Sequence, residues 1–163
     1  MAMLRQIKGE ATTKLISGKM YFYKYEASSE TEYYNKFPLI FMLRKRGSLF
    51  EGIDFHYLDL KRRIELFKNM KPYFSTTDVI TEETILFAKK FSKIIQRSKI
   101  FKSAKVSFRK YKKENIKSKI IEVNPNNWLL SLQQPAEMFI TSEGKKKTSG
   151  SVWKETLKLQ RKR

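Results

Sequence analysis

The stretch PLIFMLRKRGSLFEGIDFHYL, residues 38–58, decides the fold. Leu39, Ile40, Phe41, Met42 and Leu43 form a continuous apolar run, the pattern of a buried strand. Arg44, Lys45, Arg46 and Gly47 follow and suit a tight turn, in which glycine takes a positive φ without strain. Beyond the turn, Leu49, Ile53, Phe55 and Tyr57 share one face of an extended chain, interrupted by Glu51. Gly52 marks a candidate bulge. The two runs predict a β-hairpin with a basic tip, and His56 falls on its second strand.

Upstream, Tyr21, Tyr23 and Tyr25 alternate with Met20, Phe22, Lys24 and Glu26, which predicts another strand. Three tyrosines on one face either pack against the rest of a sheet or form a stacking platform for bases; packing is the expectation. Residues 1–17 are weakly patterned and read as an N-terminal arm or a short helix. Residues 27–37 read as a loop.

Downstream, Asp59 is a good N-cap for a helix striped by Leu60, Ile64 and Phe67, which ends before Pro72. A second helix is capped by Thr81, with Glu82 and Glu83 at the positive end of its dipole. Its apolar face is Ile80, Phe87, Phe91, Ile94 and Ile95, and Lys89, Lys90, Lys93 and Arg97 face outward. Ala104, Val106 and Phe108 alternate with Lys105, Ser107 and Arg109, as a basic strand or as a continued helix. Residues 118–123 read as a strand. Asn124-Pro125 opens a short helix that Pro135 ends, with Trp128, Leu129 and Leu132 directed to the core. The fold class is therefore α+β: a small twisted antiparallel sheet or an SH3-like barrel, with a helical insertion at about 59–100. The organisation is an arm at 1–17, a single α+β domain at 18–140 and a basic C-terminal tail at 141–163.

The chain has 163 residues and a formal charge of +19. Residues 30–88 carry nine bases and nine acids, whereas residues 89–140 carry thirteen bases and three acids, and residues 141–163 eight bases and two acids. A neutral front and a basic back point to a polyanionic partner, nucleic acid first, with an acidic protein surface or an anionic membrane as the alternatives. A solvated basic face with no partner is the plainer alternative. Cysteine is absent, which excludes disulfide frameworks, thiol catalysis and cysteine zinc sites. The longest apolar run is far too short to span a membrane. The chain is accordingly expected to be non-secreted.

Catalytic chemistry is poorly provided. With one histidine, a His/His/carboxylate metal site cannot be built. Glu51 and Asp54 are three apart on a strand and would face opposite sides unless Gly52 bulges. No glycine-rich phosphate loop is present. The expectation is a protein without enzymatic activity, metal or cofactor, in which His56 has a structural role. The candidate nucleic-acid-binding residues are Lys99, Lys102, Lys105, Arg109, Lys110, Lys112 and Lys113, interleaved with Phe101, Phe108 and Tyr111, together with Lys145, Lys146 and Lys147. Such bases meet phosphates without reading sequence, and no base-reading motif accompanies them.

Several segments appear in a recognisable order: GKMYFYKY at 18–25, YYNKFPLI at 33–40, FEGIDFHYL at 50–58, IKSKIIEV at 116–123, then Trp128 and PAEMF at 135–139. Over about residues 18–140 this pattern resembles a family of small virion proteins of T-even-type tailed bacteriophages, the DNA end protectors. The resemblance implies a virion structural protein, made in the host cytoplasm, that touches the end of the packaged genome near the head–tail junction. It implies other virion subunits as partners and a homo-oligomer. It supplies no catalytic motif. Two alternatives stand beside it: a tail or baseplate assembly protein binding acidic neighbours, and a cellular nonspecific nucleic-acid-binding protein.

Overall fold

A computed structural model describes residues 7–27, 33–71, 86, 90, 104–141 and 143–161. Its strands are β1 (Gly9–Thr12), β2 (Met20–Phe22), β3 (Tyr33–Asn35), β4 (Leu39–Arg46), β5 (Leu49–Asp54), β6 (Phe108–Lys112), β7 (Ile120–Val123), β8 (Phe139–Thr141) and β9 (Lys146–Lys147). Helices α1 (Leu60–Met70), α2 (Trp128–Gln133) and α3 (Ser149–Arg161) accompany them. Six strands form an antiparallel sheet in the order β1-β7-β2-β4-β5-β6, and β3-β8-β9 form a second sheet. The fold is α+β with two open sheets and no closed barrel.

The hairpin lies where the sequence placed it. Arg46 pairs with Leu49 across Gly47, whose φ is +60°. Every residue from Leu39 to Leu43 is buried. Leu39, Phe41 and Leu43 join the core beneath the helices, whereas Ile40 and Met42 join Tyr21, Tyr23 and Tyr25 on the other face. The three tyrosines are thus packing residues within an aromatic cluster that also holds Phe50 and Tyr111.

The bulge is in the opposite strand from the one expected. The register shifts between Met42 and Arg44, leaving Leu43 as the extra residue, and Met42 pairs with Gly52. Gly52 permits the close approach: a Cβ there would lie 3.0 Å from the Phe41 carbonyl oxygen. Past the bulge Arg44 stands across from Glu51, and Glu51 across from Lys110. The second strand also ends earlier than expected. Asp54 caps a single helical turn, Phe55–Tyr57, by accepting a hydrogen bond from the His56 N–H. A short polar side chain offering such a cap competes with continued extension.

Within the expected arm, Gly9–Thr12 is extended, since β1 pairs with β7. Residues 104–107 form a helical turn, and the strand begins at Phe108. Asn124 caps the turn before α2, and Trp128 donates its indole N–H to the Val123 carbonyl at 2.8 Å. Leu132 is buried there, but Leu129 is 42% exposed and is not core. The expected second helix of the insertion lies outside the described residues, apart from Leu86 and Lys90, which are helical. Lys99 and Lys102 lie outside them too. The stretch read as a tail supplies β9 and α3: Val152 is fully buried, Arg62 lies 3.7 Å from the Trp153 ring centre, and the Tyr33 hydroxyl meets Thr156 Oγ1 at 2.5 Å. Among the described residues no helix is long and apolar enough to cross a membrane.

Trp128 is 1% exposed and packs edge-on against Phe41 at 5.9 Å. Trp128→Ala leaves a large cavity and an unpaired carbonyl, so it should cost about 3–5 kcal/mol in denaturant unfolding. A loss under about 1 kcal/mol would show that this packing does not hold the helices to the sheet.

Candidate nucleic-acid interface

The sheet topology joins bases that are far apart in the chain. β6 pairs with β5, and the Lys113 N–H donates to the Ser48 carbonyl at 2.9 Å. Lys112 and Lys113 therefore lie beside the hairpin tip, where Lys45 and Arg46 are exposed. Along the same strands Leu49, Glu51 and Ile53 share a face with Phe108, Lys110 and Lys112. Glu51 forms ion pairs with Arg44 and, at 3.9 Å, with Lys110. Lys110 is 78% exposed in its side chain, so that longer pair holds it weakly.

Lys113 also lines an open groove of about 780 Å³ with Lys14, Lys119, Thr12, Thr13 and Ser118. The basic surface thus runs from the hairpin tip through Lys113 to Lys14 and Lys119. Of its members only Lys110, Lys112 and Lys113 were singled out from sequence. Lys45 and Arg46 sit in a charge-balanced stretch of chain, and only strand pairing shows that they adjoin the basic segment. Lys105 is exposed but stands before β6, at the end of the strand away from the tip.

Arg109 alternates to the other side of β6. Its guanidinium lies 4.4 Å from the centre of the Tyr57 ring. It lines a cleft of about 200 Å³ together with Tyr25, Tyr33, Tyr34, Tyr57, Lys110, Tyr111 and Lys112. Lys147 approaches the same cleft wall, 5.2 Å from the Tyr33 ring centre, and pairs with Glu155 at 2.6 Å. Lys145 pairs with Glu143 at 3.5 Å between two exposed side chains, and Lys146 is exposed. The fold therefore gathers Arg109, Lys110 and Lys112 around one tyrosine-lined cleft.

Behind the cleft is a buried polar cluster. The Asp54 carboxylate accepts from the Tyr111 hydroxyl at 2.8 Å, from Asn35 Nδ2 at 3.1 Å and from the His56 N–H at 3.1 Å. Burial raises its pKa to about 6, although these hydrogen bonds and the Arg109 charge pull the other way. His56 is also buried, and its Nδ1 lies 2.9 Å from both the Phe37 carbonyl oxygen and Asn35 Nδ2. Nε2 has no partner, and burial holds the ring neutral well below its ordinary pKa. Among the described residues no three of His, Asp and Glu are placed to hold a metal ion.

A family model described as phage T4 terminal DNA protecting protein matches residues 1–156. The chain belongs to this family. No match was found among curated proteins, and no solved structure matches. Membership in the terminal DNA protecting family makes DNA a partner and a phage the setting. The match reaches residue 156 and so includes the first eight residues of α3.

The buried pair behind the cleft fixes a pH signature. Asp54 holds its proton more tightly folded than unfolded, so its contribution to stability is full below about 3.8 and is lost as pH rises to about 6. His56 has the opposite sign: its contribution is full above 6.5 and is lost as pH falls, because only the unfolded ring takes up a proton. In thermal melts, Asp54→Asn should gain on the wild type as pH rises from about 4 to 6 and then hold level. A constant difference across that range would mean that the carboxyl titrates normally.

Proposed function

We propose that this protein is a non-enzymatic structural component of the phage particle that holds the genome terminus through phosphate contacts. The observation that carries the reading is the continuous basic surface of Lys45, Arg46, Lys110, Lys112, Lys113, Lys119 and Lys14 in a member of a terminal DNA protecting family. Lys105, Lys145 and Lys146 would add phosphate contacts around it, and so would Lys99 and Lys102. These contacts neutralise phosphates without reading bases, which suits a protein that must accept any terminal sequence. A site near the head–tail junction, beside other virion subunits, fits a genome end. Leu129 and Leu130, 42% and 45% exposed on α2, support a contact with another subunit or copy on that side.

The test is binding of the full chain to blunt linear duplex and to a closed circle across a salt series. With about five phosphates neutralised, log affinity should fall against log salt with a slope near −4.5. Replacing Lys45, Arg46, Lys112 and Lys113 together by Gln should reduce that slope by about 3.6 while the thermal melt stays near wild type. An unchanged slope in the folded variant would remove this surface from the interface. No DNA binding at low salt would turn the reading toward an assembly protein with an acidic protein neighbour.

A further inference from the structure

We propose that the tyrosine-lined cleft beside β6 is the seat of a terminal phosphate monoester of DNA, held by the Arg109 guanidinium. This rests on the DNA-end reading above and assigns the end-recognising group within it. Arg109 is half-buried, and its position is set by the Tyr57 ring 4.4 Å away. Among the described residues no hydrogen bond or ion pair takes up its N–H groups, and its remaining partners act through space: Tyr111, Asp54 and Tyr33. The nearest carboxylate, Asp54, has its oxygens taken by Tyr111, Asn35 and the His56 N–H. A fixed guanidinium fork that finds no hydrogen-bond partner among the described residues, facing a cleft, is suited to a planar or tetrahedral oxyanion.

The size and charge of the cleft select the anion. About 200 Å³ admits a phosphoryl group or one ring, and not a duplex. An internal phosphodiester carries chain on both sides, whereas a terminal phosphate carries it on one and enters a small cleft end-on. A phosphate monoester also bears about −1.5 to −2 charges near neutral pH, against one for a diester. Lys110 and Lys112 at the cleft wall supply the added field for that charge. The basic surface leads to this point, since Lys112 lines the cleft and Lys113 the groove.

The experiment compares one blunt duplex bearing 5′-phosphate, 3′-phosphate or hydroxyl ends with a closed circle, at fixed salt. The wild type should bind a phosphorylated end about tenfold or more tightly than a hydroxyl end. Arg109→Lys keeps a cation above Tyr57 but loses the fork, so it should bind both ends alike and the circle as the wild type does. Equal wild-type affinity for phosphorylated and hydroxyl ends would overturn the assignment, as would a full preference retained by Arg109→Lys. If that happens while salt-dependent DNA binding persists, only the cleft assignment falls. If the wild type binds no DNA at low salt, the DNA-end reading falls and takes the cleft with it. Inorganic phosphate that raises the wild-type melting temperature with no end preference on DNA would also overturn the assignment, leaving a site for the free anion.

Discussion

The buried carboxylate of Asp54 is the constraint on which the functional face depends. Taking a charge out of water is tolerable only when its oxygens are hydrogen-bonded. Here the donors come from three elements: Asn35 of β3, Tyr111 of β6 and the helical turn that follows β5. Satisfying one carboxylate therefore holds the second sheet against the edge of the first. The same contacts place Tyr33, Tyr57 and Tyr111 around Arg109. Without them, β6 would remain an edge strand bearing lysines, with no cleft beside it.

Asn35 completes this junction with its other atom. Its side-chain oxygen accepts from the N–H groups of Phe37 and Met138, at 3.1 and 3.3 Å. It thus ties β3 to the segment entering β8 while its amide nitrogen serves Asp54. Arg63 makes a similar tie on the helical side, donating to the Leu58 and Leu132 carbonyls and pairing with Glu137 at 3.3 Å. Both are polar residues doing packing work, and neither stands out in a sequence because their partners are distant in the chain.

The hairpin was legible because its signals are local: an apolar run, a glycine at the turn and a partner run of the right length. The Asp59 cap, the Asn124-Pro125 start and the packing of Tyr21, Tyr23 and Tyr25 were legible for the same reason. The bulge at Leu43 was not, because Gly52 signals close approach without saying which strand takes the extra residue. The helical turn at 55–57 was missed because alternation continues through Phe55 and Tyr57, and only the Asp54 cap breaks it. Leu129 was misplaced because a one-residue uncertainty in where a short helix begins rotates its buried face.

Charge shows the sharpest difference between chain order and space. The basic back of the chain does not form a separate lobe: β7 inserts between β1 and β2, and β6 closes onto β5. Bases from the charge-balanced front, Lys45 and Arg46, become neighbours of Lys112 and Lys113 as a result. Adjacent residues are divided in the opposite way. Strand alternation sends Lys110 and Lys112 to an exposed face and Arg109 to the tyrosines. A run of bases that looks uniform in sequence thus contains two kinds of cation. One kind is mobile and hydrated, suited to the diffuse charge of a duplex backbone. The other is desolvated and fixed in direction, which is the property needed to tell one phosphate from the rest.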